Sequence, residues 1–272
     1  MARRVIAAAL GLSPAEIVSH PERALDDRQI ERVRMTLDRT VEREPLSRIL
    51  GRREFWGLEF ALSADTLDPR PETETLVEAV LRRLPERGAA LRLLDLGTGT
   101  GCILLALLSE FPAATGYGVD IAAGAVLAAR RTAAALGFGE RAHFVIGDWG
   151  SAVSGGFDVI LANPPYIAGA ALAALPREVA LFDPFRALDG GSDGLDAYRA
   201  LVPELRRLLR ARAFFVCEIG SGQAPAVAAI LQTNGLAIEG CEHDLAGLAR
   251  CLVARADASA PQKILGMRCR PV

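Results

Sequence analysis

Apolar positions follow two different patterns along the chain. In residues 1–50 they recur every three or four positions, which is typical of amphipathic helices. The repeat is clearest at Ile30, Val33, Leu37 and Val41. Residues 51–70 hold aromatic and alternating apolar positions, which indicate a short β-hairpin. The pattern therefore predicts a small helical domain at 1–50 and a hairpin linker at 51–70.

Beyond residue 71, short apolar runs alternate with longer amphipathic segments. The runs predict strands at 93–96, 115–120, 143–149, 157–162, 213–219, 236–239 and 251–254. Helices are predicted from about residue 75, from about residue 102, and at 197–212 and 223–232. Such alternation implies an α/β fold with a mostly parallel sheet and helices on both faces. We expect residues 71–272 to form this domain.

Composition narrows the class of protein. The chain has 272 residues, of which 51% are hydrophobic, so it can bury a full core. The net charge is only −2 and no basic stripe with interleaved aromatic residues is visible, so we expect no nucleic-acid partner. No apolar run approaches the length of a membrane span. The apolar stretch within residues 1–10 is too short for a signal peptide and predicts a helix.

Cysteine and histidine residues argue against metal and disulfide chemistry. The five cysteines are scattered and mostly embedded in apolar runs, which favours reduced thiols and a cytoplasmic location. They are Cys102, Cys217, Cys241, Cys251 and Cys269. With three histidines and no paired ligand spacing, we expect neither a metal site nor a histidine-based nucleophilic triad.

The tetrapeptide Asn163-Pro164-Pro165-Tyr166 follows the predicted strand 157–162. Ligands of open α/β sheets bind at this carboxyl end. Two prolines fix φ and lack an N–H group, so the Asn163 amide and the adjacent carbonyls are held with free acceptors. A rigid pair of acceptors suits a planar NH2 group that must be aimed at an electrophile. Alternatively, Asn-Pro-Pro is a simple turn and Tyr166 covers the core.

A glycine-rich turn lies between the predicted strand at 93–96 and the helix near Cys102. It reads Gly97-Thr98-Gly99-Thr100-Gly101. Alternating glycines allow close approach of the backbone to a ligand, and the helix start adds free N–H groups and a positive dipole end. The spacing differs from the dinucleotide-binding and P-loop patterns, which makes a pyrophosphate ligand less expected. We expect a nucleotide-like ligand here.

Acidic residues end the next two predicted strands at the same edge of the sheet. Asp120 ends the strand at 115–120 and is the candidate for the ribose hydroxyls of a nucleoside. Asp148 and Trp149 end the stretch at 143–149 and could frame an adenine. The alternative for both acids is helix capping, because each precedes a new segment.

These motifs, in this order, resemble the class I S-adenosylmethionine-dependent methyltransferases that act on amino groups. Within that superfamily the chain is similar to the PrmC/HemK family of protein-(glutamine-N5) methyltransferases, which modify the Gly-Gly-Gln glutamine of peptide chain release factors. The resemblance covers nearly the whole chain. The narrower likeness rests on the segments 44–51, 54–58, 69–74 and 182–195. The segment 69–74 reads Pro-Arg-Pro-Glu-Thr-Glu and is the most discriminating of them.

The resemblance implies a Rossmann-like fold with a seven-stranded sheet and one antiparallel strand near the end. It also implies S-adenosylmethionine as cofactor, with S-adenosylhomocysteine as product, bound by the glycine turn, Asp120, Asp148, Trp149 and Asn163. Substrate glutamine would meet the tetrapeptide: Asn163 and Pro164 would accept its amide hydrogens, Pro165 would fix the backbone, and Tyr166 would pack against the amide. Residues 1–50 would hold the release factor.

Two other activities and a non-catalytic role stay open at this point. Sister enzymes that methylate a ribosomal-protein glutamine share the tetrapeptide but usually carry Pro-Arg-Ser-Pro in place of the start of 69–74. Adenine-N6 nucleic-acid methyltransferases share only the tetrapeptide and the glycine turn. A non-catalytic protein with a cofactor-type fold is the third alternative.

The chain departs from the family at several places. Arg48 stands where an aromatic is usual, Asp68 replaces an aliphatic residue, and the segment 244–250 lacks the usual polar pattern. We also expect the N-terminal helical region to be shorter than in the family by about one helix. Residues 70–73 have two possible roles, which are to line the methionine end of the cofactor or to cap the helix from residue 75.

Overall fold

The computed structural model describes residues 2–256, and the first fifty of these are helical. The helices are α1 (Ala2–Leu10), α2 (Pro14–Ser19), α3 (Asp27–Val41) and α4 (Leu46–Leu50). Capping boxes at Ser13 and Asp26 start α2 and α3, because each side chain accepts from a backbone N–H that the helix itself leaves unpaired. Residues 257–272, with Cys269, lie outside the described part of the chain.

The predicted helix around Val33 is confirmed as α3, but its apolar positions do not face a core. Ile30, Leu37 and Val41 are 51%, 36% and 80% exposed, while the buried residue of this helix is Thr36. The spacing of apolar residues therefore predicted the helix correctly, but it did not predict which side of the helix is buried.

A tight hairpin follows the helices. Its strands are β1 (Arg52–Phe55) and β2 (Leu58–Ala61). Trp56 and Gly57 form the two-residue turn with φ of 53° and 69°, a conformation whose twist suits paired strands. Phe55 and Phe60 are buried beneath it, and the Trp56 indole Nε1 donates to Glu110 Oε1 at 2.9 Å. The hairpin is thereby packed onto the remainder of the chain.

The large sheet has seven strands in the order β5-β4-β3-β6-β7-β9-β8. They are β3 (Arg92–Leu96), β4 (Thr115–Asp120), β5 (Ala142–Ile146), β6 (Phe157–Ala162), β7 (Leu209–Glu218), β8 (Leu236–His243) and β9 (Ala249–Ala256). Strands β3 to β7 are parallel, and β9 runs antiparallel to both of its neighbours. The expected mostly parallel α/β sheet with an antiparallel strand near the end is confirmed.

Helices cover both faces of this sheet. The helices after the hairpin are α5 (Glu74–Arg83), α6 (Cys102–Glu110), α7 (Ala123–Ala135), α8 (Gly169–Leu172), α9 (Arg177–Phe182), α10 (Asp196–Leu208) and α11 (Ala224–Thr233). The short helices α8 and α9 contain no buried residue and lie in the connection between β6 and α10, and the other five cover the sheet. Successive residues of β6 point to opposite faces: Val159 and Leu161 pack with α5 to α7, whereas Ile160 and Ala162 pack with α10 and α11. Both sides of the strand are buried, which explains its unbroken apolar run. None of the helices within 2–256 has the length and apolar character needed to cross a membrane.

The helix predicted at 197–212 was too long. Helix α10 ends at Leu208, and Leu209 already pairs with Phe157 of β6. Arg210 then forms an ion pair with Asp158 of that strand, with Nη1 2.9 Å from Oδ2. The residues at 209–212 have adequate helix propensity, but pairing with a neighbouring strand overrides such local preferences.

The order of strands creates a crevice between β3 and β6. From β3 the chain builds the sheet in one direction through β4 and β5, and then returns to build the other side through β6 and β7. Helix α6, which follows β3, and helix α10, which precedes β7, lie on opposite faces. The turns beyond β3 and β6 therefore diverge, which is the usual ligand position in open α/β sheets.

One buried carboxylate joins the helical region to the rest of the chain. Asp183 Oδ1 lies 2.5 Å from Nη2 of Arg48 in α4, and Asp183 Oδ2 lies 2.5 Å from Nη2 of Arg70. The Arg48 side chain is only 8% exposed and also donates to the carbonyls of Ser63 and Thr66. Asp68, the second departure from the family, accepts a hydrogen bond from Ser47 next to Arg48. The two unusual residues thus belong to one contact region.

Replacing Arg48 with methionine is expected to lower the free energy of unfolding by about 3 kcal/mol, because it removes one of the two arginine partners of the buried Asp183 carboxylate. Arg52→Met is the matched control, since Arg52 pairs with Glu59 in an exposed ion pair that should be worth about 0–1 kcal/mol. Urea denaturation of both variants measures the difference. Equal, small losses would show that Asp183 does not depend on Arg48.

Candidate active site

A cavity of about 630 Å³ opens at the carboxyl edge of the sheet, in the crevice between β3 and β6. Its volume is typical of a site for a small molecule. Most of the residues selected from the sequence line it, and these are Gly97, Thr98, Gly99, Thr100, Asp120, Asp148, Trp149, Asn163 and Pro165. Gly101, Pro164 and Tyr166 are adjacent to these lining residues in the chain. The structure therefore brings the separate motifs together around one cavity.

The glycine turn adopts the backbone conformation that its residues favour. Gly97, Gly99 and Gly101 have φ of 73°, 55° and 80°, a region in which other residues are strained. The Gly101 N–H donates to the Thr98 carbonyl at 2.8 Å, and α6 begins at the next residue. The N-terminus of α6, with its free N–H groups and positive dipole end, thus lies beside the cavity.

Asp95 supports this turn from the core. Its side chain is fully buried and Oδ2 accepts from the Thr98 hydroxyl at 2.7 Å, while Oδ1 has no hydrogen-bond partner among residues 2–256. Burial raises the pKa of Asp95 to about 7, and the Thr98 hydrogen bond opposes this shift only in part.

Asp120 ties the glycine turn to the start of α7. Its Oδ2 accepts from the Gly99 N–H at 2.8 Å, and its Oδ1 accepts from the Ala122 N–H at 2.9 Å. Ala122 is the residue that precedes α7, so Asp120 does not bond to the N–H groups of the first helical turn. Each carboxylate oxygen can accept one further hydrogen bond. Burial raises the pKa of Asp120 from its ordinary value.

Trp149 forms a wall of the cavity next to the glycine turn. It has φ of 44°, which is unusual for a bulky residue, and a Cβ built on Gly97 would lie 3.4 Å from its ring. Asp148 precedes a short 3-10 helix at Trp149–Ala152, but in the described part of the chain its side chain makes no capping hydrogen bond. Asp148 and Trp149 both line the cavity.

The tetrapeptide side chains are linked by a short chain of hydrogen bonds. Asn163 Nδ2 donates to Thr73 Oγ1 at 3.2 Å, and the Thr73 hydroxyl donates to Glu218 Oε2 at 2.7 Å. The Tyr166 hydroxyl donates to the other oxygen, Glu218 Oε1, at 3.1 Å. Glu218 is the last residue of β7 and is 2% exposed, and burial raises its pKa to about 7. One buried acid therefore contacts both arms of the tetrapeptide network.

The backbone of the tetrapeptide is held by the segment that follows α9. A Cβ on Gly190 would lie 2.9 Å from the Pro165 carbonyl oxygen, so only glycine allows this approach. Gln223 Nε2 donates to the Tyr166 carbonyl at 2.9 Å and to the Gly194 carbonyl at 3.2 Å. The Tyr166 ring also packs against the core on one face of the sheet. Tyr166 therefore does two things: its ring covers the core, as the alternative interpretation expected, and its hydroxyl donates to Glu218.

Asp95 and Glu218 were not selected as site residues from the sequence, and Thr73 was considered only as part of the segment 70–73. Glu218 ends an apolar strand, which is the same signal that identified Asp120, and it could have been found in that way. Arg70 and Thr73 line the cavity, and in the described part of the chain neither side chain caps a helix. No group of three or more histidine, cysteine, aspartate or glutamate side chains within residues 2–256 is arranged to hold a metal ion.

Comparison with known families and proteins agrees with these motifs. Residues 1–51 match the PrmC N-terminal domain, and residues 55–179 match the Methyltransferase small domain. The release factor glutamine methyltransferase of Rhodospirillum rubrum is 50% identical over 270 residues, which cover 99% of this chain and 82% of that protein. The chain belongs to the family of release factor glutamine methyltransferases. The member from Bradyrhizobium diazoefficiens is 43% identical over 93% of this chain and 86% of its own length. The resemblance inferred from the motifs is confirmed.

Solved structures share the fold of this family member. The ribosomal protein L11 methylase of Lactobacillus delbrueckii subsp. bulgaricus superposes with a TM-score of 0.54 at 18% identity, over 72% of this chain and 83% of that chain. At this identity the likeness extends to the methyltransferase fold alone. The expected Rossmann-like class is confirmed.

The buried acid beneath the glycine turn should make stability depend on pH. The pKa of Asp95 is about 7 in the folded chain and about 4 when unfolded, so the folded state holds a proton that the unfolded state loses in between. The contribution of Asp95 to stability is therefore present at low pH and falls as pH rises toward 7. Relative to wild type, Asp95→Asn should gain about 2 kcal/mol between pH 5.5 and pH 8.

Urea denaturation at the two pH values measures this gain, and any constant effect of the amide cancels in the comparison. Glu140→Gln, an exchange of the same kind at an exposed position, is the control. A pH-independent difference between Asp95→Asn and wild type would show that Asp95 is ionised throughout.

Proposed function

We propose that this chain transfers a methyl group from S-adenosylmethionine to the side-chain amide nitrogen of the glutamine in the Gly-Gly-Gln motif of peptide chain release factors. The observation that carries the proposal is the position of Asn163. Its amide lies at the cavity that the glycine turn also lines, with the amide nitrogen bonded to Thr73. Membership of the release factor glutamine methyltransferase family supports the choice of substrate.

The cavity suits S-adenosylmethionine, which supplies an electrophilic methyl group when bound and leaves as S-adenosylhomocysteine. A Cβ on Gly99 would meet no atom within 4 Å, so the absence of a side chain there keeps space open beside the turn. Asp120 has acceptor capacity left for ribose hydroxyls, and Asp148 and Trp149 would bound the adenine. The backbone N–H group of Thr100 would complete the contacts. Thr98, whose own N–H donates to the Val119 carbonyl, would shape the turn together with Gly97 and Gly101.

The tetrapeptide would orient the substrate amide. The Asn163 side-chain oxygen and the Pro164 carbonyl would each accept one hydrogen of the glutamine NH2 group, Pro165 would keep the backbone rigid, and Tyr166 would pack against the amide plane. These acceptors would also stabilise positive charge as it develops on the nitrogen. The nitrogen becomes acidic once it is alkylated, so its proton can then leave without a strong base in the site.

Residues 1–50 would form the substrate-recognition domain, residues 51–70 the hairpin linker and residues 71–272 the methyltransferase domain. Support comes from α3, where Ile30, Leu37 and Val41 form an exposed apolar stripe. Exposed apolar patches of this kind mark sites for protein partners. A release factor partner places the reaction in the cytoplasm, and we expect no direct contact with nucleic acid.

Asn163→Ala is expected to lose most of its turnover and to keep its affinity for S-adenosylmethionine, because it removes the orienting acceptor and leaves the glycine turn intact. Mass spectrometry of a purified release factor after incubation with cofactor measures the result. Wild type should add one methyl group to the Gly-Gly-Gln peptide, and the variant should add almost none.

Each component of the proposal has its own contradicting outcome. Turnover of Asn163→Ala within a few-fold of wild type would overturn the assignment of this residue. Wild type that binds cofactor but leaves a folded release factor unmodified would redirect the search to a ribosomal-protein glutamine or a nucleic-acid amine.

Asp120→Ala should weaken cofactor binding by about 1–3 kcal/mol, because a buried ribose hydroxyl would lose its partner. Titration calorimetry with S-adenosylmethionine measures the affinity. Asp158→Ala is the matched control: Asp158 also accepts a backbone N–H, from Arg92 at 2.7 Å, but it lies at the opposite end of the sheet. Equal affinities of wild type and Asp120→Ala would limit Asp120 to its contacts with Gly99 and Ala122.

A further inference from the structure

The Asn163 side chain can in principle lie in two orientations, which differ by exchange of its oxygen and its NH2 group. The two are nearly the same in shape, so packing alone does not choose between them. The proposed function needs the oxygen toward the substrate nitrogen, because an NH2 group there would oppose the hydrogens of the substrate amide. The orientation must therefore be fixed by hydrogen bonds.

We propose that Thr73 and Glu218 are positioning residues that act in series to fix the Asn163 amide with its oxygen toward the substrate. The catalytic consequence rests on the proposed function, whereas the orientation itself does not. Both residues are 2% exposed, so the hydroxyl and the carboxylate depend mainly on protein partners for their hydrogen bonds.

The single hydrogen of the Thr73 hydroxyl decides the direction of the chain. When Glu218 is ionised, its Oε2, which lies 2.7 Å away, can only accept and takes that hydrogen. Toward Asn163, at 3.2 Å, the Thr73 oxygen can then only accept, so the amide nitrogen of Asn163 must face it. The opposite orientation would bring two acceptor oxygens together, or would require Thr73 to leave Glu218 and strand a buried carboxylate oxygen.

The second oxygen of Glu218 is used in the same site. Oε1 accepts from the Tyr166 hydroxyl at 3.1 Å, and the Glu218 backbone carbonyl accepts from the Tyr198 hydroxyl at 2.8 Å. Tyr198 is fully buried, so the end of β7 is held in place. One carboxylate thus sets the positions of Asn163, through Thr73, and of Tyr166 directly.

Thr73→Val tests the inference because it keeps the shape of the side chain and removes the hydroxyl. With release factor as substrate, we expect kcat to fall about 10- to 100-fold, while affinity for S-adenosylmethionine changes less than about two-fold. Thr73→Ser keeps the hydroxyl and should stay within a few-fold of wild type. Wild-type kcat in the valine variant overturns the inference, and so does an equal loss of kcat in the serine variant.

A second measurement reads the orientation without any substrate. Asn163 and Asn234 are the only asparagines in the sequence, so selective ¹⁵N labelling of asparagine gives two side-chain NH2 groups in an NMR spectrum. Asn234 Nδ2 donates to the Ile230 carbonyl, away from the cavity, and serves as the internal reference. Thr73→Val should shift the Asn163 pair and leave the Asn234 pair unchanged, and Thr73→Ser should restore the wild-type position.

Unchanged Asn163 signals in Thr73→Val overturn the inference. If wild type fails to methylate release factor, the proposed function is lost, but the spectra still support or overturn the orientation. The serial order is tested by Glu218→Gln, whose NH2 group can donate to Thr73 and reverse its hydrogen bond. This variant should lower kcat by itself and add little in the Thr73→Val background, whereas fully additive losses overturn the serial order.

Discussion

Parallel pairing of β3 with its two neighbours is the constraint on which the site depends. Leu96 at the end of β3 is aligned with Val119 of β4 on one side and with Ala162 of β6 on the other. The residues that come next, Gly97, Asp120 and Asn163, therefore leave the sheet at the same level. A shift of one residue in either pairing would turn the strand's side chains to the opposite face, so the buried apolar residues of the sheet also fix this alignment.

Buried carboxylic acids at this edge of the sheet orient neighbouring groups but do not maximise the stability of the fold. Asp95, Asp183 and Glu218 are carboxylic acids with at most 9% exposure, and each contacts or directly precedes a residue that lines the cavity. A hydrophobic side chain of similar size would often be at least as stable in such positions. The acids instead fix the orientation of their neighbours, because each one accepts from a hydroxyl, a guanidinium or a backbone N–H that must point toward it. Burying these acids costs desolvation free energy, and in return the groups around the cavity are held in one orientation.

Local patterns predicted the fold, and most of the site residues that they selected line the cavity. Strand ends and glycine turns can be recognised in this way because each consists of consecutive residues. The same patterns could not predict pairs that are distant in sequence, such as Thr73 with Glu218 or Arg48 with Asp183. Local preference also misled at residues 209–212, where strand pairing ended α10 early. In α3 the spacing of apolar residues identified a helix, but its buried residue is Thr36, which the spacing did not mark.

The contact between Arg48 and Asp183 limits how this chain can be recombined with its relatives. Residues Pro184, Phe185 and Arg186, which follow Asp183 directly, line the cavity, so the Arg48 guanidinium connects the N-terminal helices to the cavity wall. A chimera that took its first fifty residues from a family member with an aromatic ring at position 48 would bury Asp183 with Arg70 as its one arginine partner. The helical region and the segment 182–186 are therefore coupled through Arg48 and Asp183, and a chimera should take both from the same protein.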